Sequence, residues 1–220
     1  MAAFLPALTR ADTLSLGTNR YEGSLNGIKN GKISITIRGT EHQYDLADLT
    51  GIDLDDVPKL ADAEIARTDN PKASAATYKQ VIPTVNKPEL KLLVELRAID
   101  PTDRDARFDE AVVLFLDVYQ AAPIDAVWNA RPSHLPGPGS KMLDDSARRV
   151  AAAIKETKSD DARKNLRKFL LDIYTKAGNT AEAQRIAREI ATGIAEEPVA
   201  TPAAPAAPAD PAAAPLAELS

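Results

Sequence analysis

The first quarter of the chain alternates between apolar and polar residues with a period of two. The alternation covers residues 14–16, 21–25 and 33–37, and it is typical of half-buried antiparallel strands. Asn30-Gly31 favours a type I′ hairpin turn, because both central positions of that turn need a positive φ. With two further strands near 43–44 and 49–54, the pattern predicts five short strands between residues 12 and 54.

From residue 57 onward the apolar positions follow a helical period, and one set of them recurs every 36 residues. Each copy has an alanine followed by apolar residues three and seven positions later, which lie on one face of an α-helix. The four alanines are Ala75, Ala111, Ala147 and Ala183. A small residue lets a neighbouring helix approach closely, so the spacing predicts a repeated array of packed helices.

An open sheet of so few strands would leave two unpaired edge strands, and closure into a barrel removes them. A small closed barrel is therefore predicted. Their layout resembles SH3-like and Sm-like five-stranded barrels. Residues 17–25 (GTNRYEGSL) are similar to a hairpin found near the start of some bacterial exported proteins. The resemblance implies a small barrel that serves as a docking or capping module.

Residues 165–191 are similar to a tetratricopeptide repeat, in which two helices are joined by a tight turn. The matching residues are Leu171, Tyr174, Gly178, Ala183 and Ala187. Gly178 is predicted to end the first helix and Thr180 to cap the second. The usual tetratricopeptide period is about 34 residues, so the period of 36 indicates a tetratricopeptide-like array.

These patterns predict an α+β fold with four segments. Residues 1–11 form a leader or the remnant of a signal peptide, and residues 12–56 form a small five-stranded antiparallel barrel. Residues 57–195 form a tetratricopeptide-like helical domain. Residues 196–220 form a disordered Pro/Ala-rich tail, because that composition cannot bury enough apolar surface to fold.

One unit of the helical array is interrupted at residues 122–140 (APIDAVWNARPSHLPGPGS). A short helix to about residue 130 is expected there, and the prolines and glycines after it forbid a longer one. Trp128 is interpreted chiefly as a packing anchor, with partner binding as the alternative. His134 is interpreted as an ordinary loop residue, since no second histidine lies near it in the sequence.

Composition excludes several kinds of chemistry. The chain has 220 residues, no cysteine and two histidines, so a thiolate site or a multi-histidine metal site cannot be built within it. No nucleotide-binding loop, nucleophile elbow or zinc-protease motif is present. The expectation is therefore a protein that is not an enzyme and uses no cofactor and no metal.

The charge of the chain is −5 overall, which disfavours a general grip on nucleic acid. A basic ridge on one predicted helix is the exception; a solvated helix face is the favoured interpretation, and a docking site for an acidic partner is the alternative. Its members are Arg163, Lys164, Arg167 and Lys168. Together with Trp128 they are the candidate partner-binding residues.

The apolar run 2–8, which is followed by Thr9-Arg10-Ala11, is typical of the end of a secretory signal peptide, although a basic segment before it is missing. Export to the bacterial periplasm or cell envelope is the favoured localisation, and the cytoplasm is the alternative. No membrane-spanning helix is expected.

The first functional hypothesis is a non-enzymatic interaction or scaffold protein that presents a helical-repeat groove to a protein or peptide. A structural subunit or assembly adaptor of an oligomer is the alternative, and a nucleic-acid binder is less favoured.

Overall fold

The computed structural model describes residues 11–193, which form a five-stranded antiparallel sheet followed by eight α-helices. The predicted α+β fold is confirmed. The tail predicted at 196–220 and nearly all of the leader predicted at 1–11 lie outside the described residues. No helix within residues 11–193 is both long and apolar enough to cross a membrane.

The sheet has the strand order β4-β3-β2-β1-β5. The strands are β1 Asp12–Leu16, β2 Asn19–Lys29, β3 Lys32–Ile37, β4 Thr40–Asp45 and β5 Leu49–Asp53. Asn30 and Gly31 both have positive φ, which confirms the turn predicted between β2 and β3. A register shift between Leu25 and Gly27 lets the long strand β2 pair with β1 along its first half and with β3 along its second. Within residues 11–193 no ladder joins β4 to β5, so the backbone pairing leaves these two strands at opposite edges.

The helices follow one another as antiparallel neighbours. They are α1 Leu60–Asp69, α2 Pro71–Val81, α3 Pro88–Arg104, α4 Phe108–Ala121, α5 Asp125–Asn129, α6 Lys141–Glu156, α7 Asp160–Ala177 and α8 Thr180–Thr192. Each long helix packs against the next, and α4 packs against α6 across the short helix α5. Pro88 occupies the first position of α3, where its missing N–H costs nothing.

The register of 36 residues falls on every second helix. Ala75, Ala111, Ala147 and Ala183 lie on α2, α4, α6 and α8. The first three are buried, and Ala183 on the last helix is partly buried. Gly178 ends α7 in the left-handed conformation, as predicted, but the cap of α8 is Asn179, whose side chain accepts a hydrogen bond from the Glu182 amide. The prediction that Thr180 is the cap was wrong by one residue, because Asn is as effective a cap as Thr and stands first.

The interruption at 122–140 contains the short helix α5 and then an irregular loop up to α6. This confirms the short helix and the absence of a longer one between α4 and α6 that the prolines and glycines predict.

Sheet and helices share one hydrophobic core, which runs from Leu14 on β1 to Ile186 on α8. β2 and α3 come into close contact at Gly27, where a Cβ atom would lie 2.3 Å from the backbone of Glu89 on α3. A side chain at residue 27 would therefore push the sheet away from α3. The boundary predicted at residue 56 falls between β5 and α1. That residues 12–56 and 57–195 are separate domains stays a prediction.

Candidate functional site

A groove of about 430 Å³ lies between α2 and α4, over the C-terminal half of α3. Its volume falls within the range of roughly 300–1,000 Å³ that is usual for ligand pockets. The lining is mostly apolar, and it consists of Ala75, Tyr78, Lys79, Ile82, Pro83, Ala98, Thr102, Glu110, Val113 and Leu114. The small residues Ala75 and Ala98 keep the floor low, so the space above α3 stays open.

One ion pair spans the groove from wall to wall. The Lys79 ammonium on α2 donates to both carboxylate oxygens of Glu110 on α4, at 2.9 and 3.0 Å. Both side chains are well exposed, so the pair is worth little to stability. It can open at a cost of about 0–1 kcal/mol, and Glu110 then keeps the hydrogen bond that Arg107 donates to it at 3.2 Å.

The wall on the α2 side is held rigidly from behind. The buried Tyr78 hydroxyl donates to Glu64 Oε1 on α1 at 2.6 Å. Arg97 on α3 donates to both carboxylate oxygens of Glu64, at 2.9 and 2.6 Å, and to the Thr50 carbonyl of β5 at 2.6 Å. Burial raises the pKa of Tyr78, and the Glu64 carboxylate adds to that shift, so the hydroxyl stays a donor. This network fixes α1, α2 and α3 relative to the sheet.

Two carboxylates outside the groove lining, Glu95 and Asp117, lie on the helices α3 and α4 that contribute to it. Glu95 lies one turn before Ala98, and Asp117 lies one turn after Val113 and Leu114 on α4. Burial raises the pKa of Glu95, and the charge of Asp117 raises it further. Burial also raises the pKa of Asp117. Sequence reasoning missed both residues, because each looks like an ordinary charged helix position until the two helices are placed side by side.

Trp128 lies on α5 and is partly buried. Its ring packs against those of Phe115 and Tyr119, with centroids 6.2 and 5.8 Å away. The Arg131 guanidinium lies over the indole ring, 4.6 Å from its centroid. These contacts account for the side chain as the anchor of the interruption, while its candidate role in partner binding stays untested.

The basic ridge divides into two inner and two outer residues on α7. Arg163 donates to the carbonyls of Thr157 and Lys158 and pairs with Asp160, and Arg167 pairs with Glu189 of α8 at 3.2 Å. Lys164 and Lys168 are exposed. The two arginines therefore have structural partners, and only the two lysines project from the ridge as candidate contacts for an acidic partner.

His134 has a partner that its sequence neighbourhood does not reveal. Its Nδ1 lies 2.7 Å from Oδ2 of Asp103, a buried residue near the end of α3. The same oxygen accepts hydrogen bonds from the backbone amides of Ser133 and His134, at 2.8 and 3.0 Å. Asp103 therefore holds the loop that follows α5, and His134 helps to close that contact.

Within residues 11–193 no group of three or more histidine, aspartate or glutamate side chains is placed to hold a metal ion. In comparisons with known proteins, no family model, curated protein or solved structure matches the chain.

Proposed function

We propose that this chain is a non-enzymatic interaction protein that binds a short segment of a partner protein in the groove between α2 and α4. The observation that carries the proposal is the open, mostly apolar groove on a rigidly braced wall. Apolar grooves between helices commonly receive peptides, which dock their apolar side chains into them.

The proposal includes the finer family resemblances. The alanines that recur every 36 residues lie on the second helix of each helical hairpin. This favours a tetratricopeptide-like array in which the unit that contains α6 lacks a long first helix. The strand order and the long, bent strand β2 favour an SH3-like or Sm-like module that caps the array. Export to the cell envelope rests on residues 1–11 alone, and fractionation of the native cells would test it.

Site-specific photo-crosslinking tests the groove directly. A benzophenone amino acid replaces Val113 inside the groove, and in a second protein it replaces the exposed Lys176 on α7. We expect residue 113 to capture a defined partner segment, identified by mass spectrometry, and residue 176 to capture none. Equal capture at both positions would contradict the proposal.

A matched pair of substitutions provides the control. Leu114→Arg fills the groove with a charged chain, while Leu171→Arg makes the same change at another partly buried helix position, on α7. Crosslinking at residue 113 should be lost with the first and kept with the second. If light scattering shows a stable oligomer that Leu114→Arg dissolves, the groove belongs to self-assembly, which is the alternative function.

A further inference from the structure

The Lys79–Glu110 ion pair lies at the mouth of the groove. The Lys79 and Glu110 side chains are 63% and 40% exposed, whereas Ala75 and Ala98, which also line the groove, are buried. The pair joins α2 directly to α4, and each of these helices packs on α3. It therefore bridges the two walls on the solvent side, above the floor that α3 supplies.

The position of Lys79 along α2 places this bridge near the middle of the groove. Ala75 and Tyr78 line the groove before Lys79, and Ile82 and Pro83 line it after. The helix advances about 10 Å from Ala75 to Ile82, so the bridge divides the mouth into two shorter openings. A segment that lies along the floor must pass beneath the bridge or open it.

The two ends of the bridge are held differently. Glu110 also accepts a hydrogen bond from Arg107 at 3.2 Å, and Arg107 itself lies 3.0 Å from Asp105. Among residues 11–193, Glu110 is the only ion-pair partner of Lys79. When the pair opens, Glu110 therefore stays beside Arg107, while the flexible lysine side chain moves away from the mouth.

We infer that the Lys79–Glu110 pair is a salt-sensitive strap, which covers the groove when it is formed and admits the partner segment when it opens. This inference rests on the proposed function and concerns the regulation of the same site. Exposed ion pairs are weak, so the strap closes the groove only in part, and its loss should raise access by at most about fivefold. Dissolved salt screens the attraction, so high ionic strength should open the strap as well.

Thiol labelling measures access to the groove floor without any partner. The chain has no cysteine, so Ala98→Cys supplies a single thiol beneath the strap, and an uncharged maleimide reports how often that thiol is reached. The labelling rate is compared in about 0.01 M and about 1 M sodium chloride, where the screening lengths are about 30 and 3 Å. We expect the rate to rise roughly two- to fivefold at the higher concentration.

Substitutions of Lys79 separate the strap from other effects of salt. Lys79→Met removes the strap and leaves Glu110 beside Arg107, so labelling of Ala98→Cys should be fast at both salt concentrations. Lys79→Arg can still pair with Glu110, and it should keep the slow rate and its salt dependence. Thr102→Cys, which also lies on the groove floor, repeats the series if Ala98→Cys does not fold.

Ala162→Cys on α7 is the matched control, because Ala162 is also buried but lies outside the groove lining. Its labelling should respond neither to salt nor to the side chain at residue 79. An equal response at both thiols would mean that the whole fold opens, and it would overturn the inference. A salt dependence at Ala98→Cys that survives Lys79→Met would also overturn it.

Photo-crosslinking at residue 113 separates this inference from the proposed function. If the strap controls entry of the partner segment, Lys79→Met should increase capture at low salt. Capture that Lys79→Met leaves unchanged would overturn the inference and keep the groove as the binding site. Labelling that follows the strap, without any capture at residue 113, would contradict the proposed function but not the closure of the groove.

Discussion

The Glu64–Arg97 pair joins α1, α3 and the sheet, and it makes the sharpest prediction about stability. The two side chains are 11% and 7% exposed. Arg97→Met keeps an unbranched apolar chain in place of the arginine stem but removes every donor. It leaves the Glu64 carboxylate buried with Tyr78 as its remaining hydrogen-bond donor, and it leaves the Thr50 carbonyl without the Arg97 bond.

Removal of one member of a buried ion pair typically costs about 3–5 kcal/mol, because the other charge stays buried. For a protein of this size, each kcal/mol lowers the melting temperature by about 2–4 °C. The expected shift for Arg97→Met is therefore a decrease of roughly 6–20 °C. Differential scanning calorimetry measures it, with urea unfolding as an independent check of the free energy.

Arg104→Met is the matched control on the same helix. Arg104 is 36% exposed, lies 3.9 Å from Asp100, and donates to the carbonyls of Arg67 and Thr68 at 3.4 and 3.1 Å. An exposed pair of this kind contributes about 0–1 kcal/mol. If Arg97→Met and Arg104→Met lower the melting temperature equally, the buried network does not hold the sheet to the helices, and the reasoning is refuted.

Three further predictions concern packing, pH and the loop after α5. Ala111→Leu should lower the free energy of unfolding by about 1–3 kcal/mol through overpacking. Ala183→Leu should lower it by less, because its site is partly open. Equal urea midpoints for the two variants would contradict this. The raised pKa of Glu95 means that its folded form binds a proton more readily than its unfolded form, so burial of its charge destabilises the fold at neutral pH and this penalty falls as the pH is lowered. The difference in unfolding free energy between Glu95→Gln and the unaltered chain should therefore shrink from pH 7 to pH 5. A difference that stays constant over this range would contradict the raised pKa of Glu95. His134→Ala should speed hydrogen exchange at the Ser133 and His134 amides, and an unchanged rate would show that the Asp103 contact with the backbone suffices.

The elements of the fold could be predicted because their signals are local. Alternation marked the strands, Asn30-Gly31 marked a turn whose φ values are fixed by two residues, and the repeated alanines marked every second helix. The cap of α8 was misplaced by one residue, because two good capping residues, Asn179 and Thr180, are adjacent. The interruption of the array was visible for the same local reason, since prolines and glycines break a helix wherever they stand.

The groove could not be predicted, because it belongs to no single element. Ala75, Ala98 and Leu114 come from three helices, and the space between them depends on the angle at which α2 and α4 leave α3. His134 was interpreted from its sequence neighbours, although its partner Asp103 lies 31 residues away. The basic ridge was predicted from the regular spacing of its residues along one helix. That spacing could not reveal that α8 supplies a partner for Arg167.

The position of α3 explains why the sheet matters to a groove that it does not line. On one face of α3, Arg97 donates a hydrogen bond to the Thr50 carbonyl of β5. The next residue, Ala98, lies on another face of α3 and belongs to the groove floor. Gly27 of β2 sets how closely the start of the same helix approaches the sheet. A shift of the sheet would therefore move the floor relative to the walls on α2 and α4. The sheet therefore influences the shape of the groove through α3, which forms the floor, and through α1, which packs against β5 and braces Tyr78 by way of Glu64.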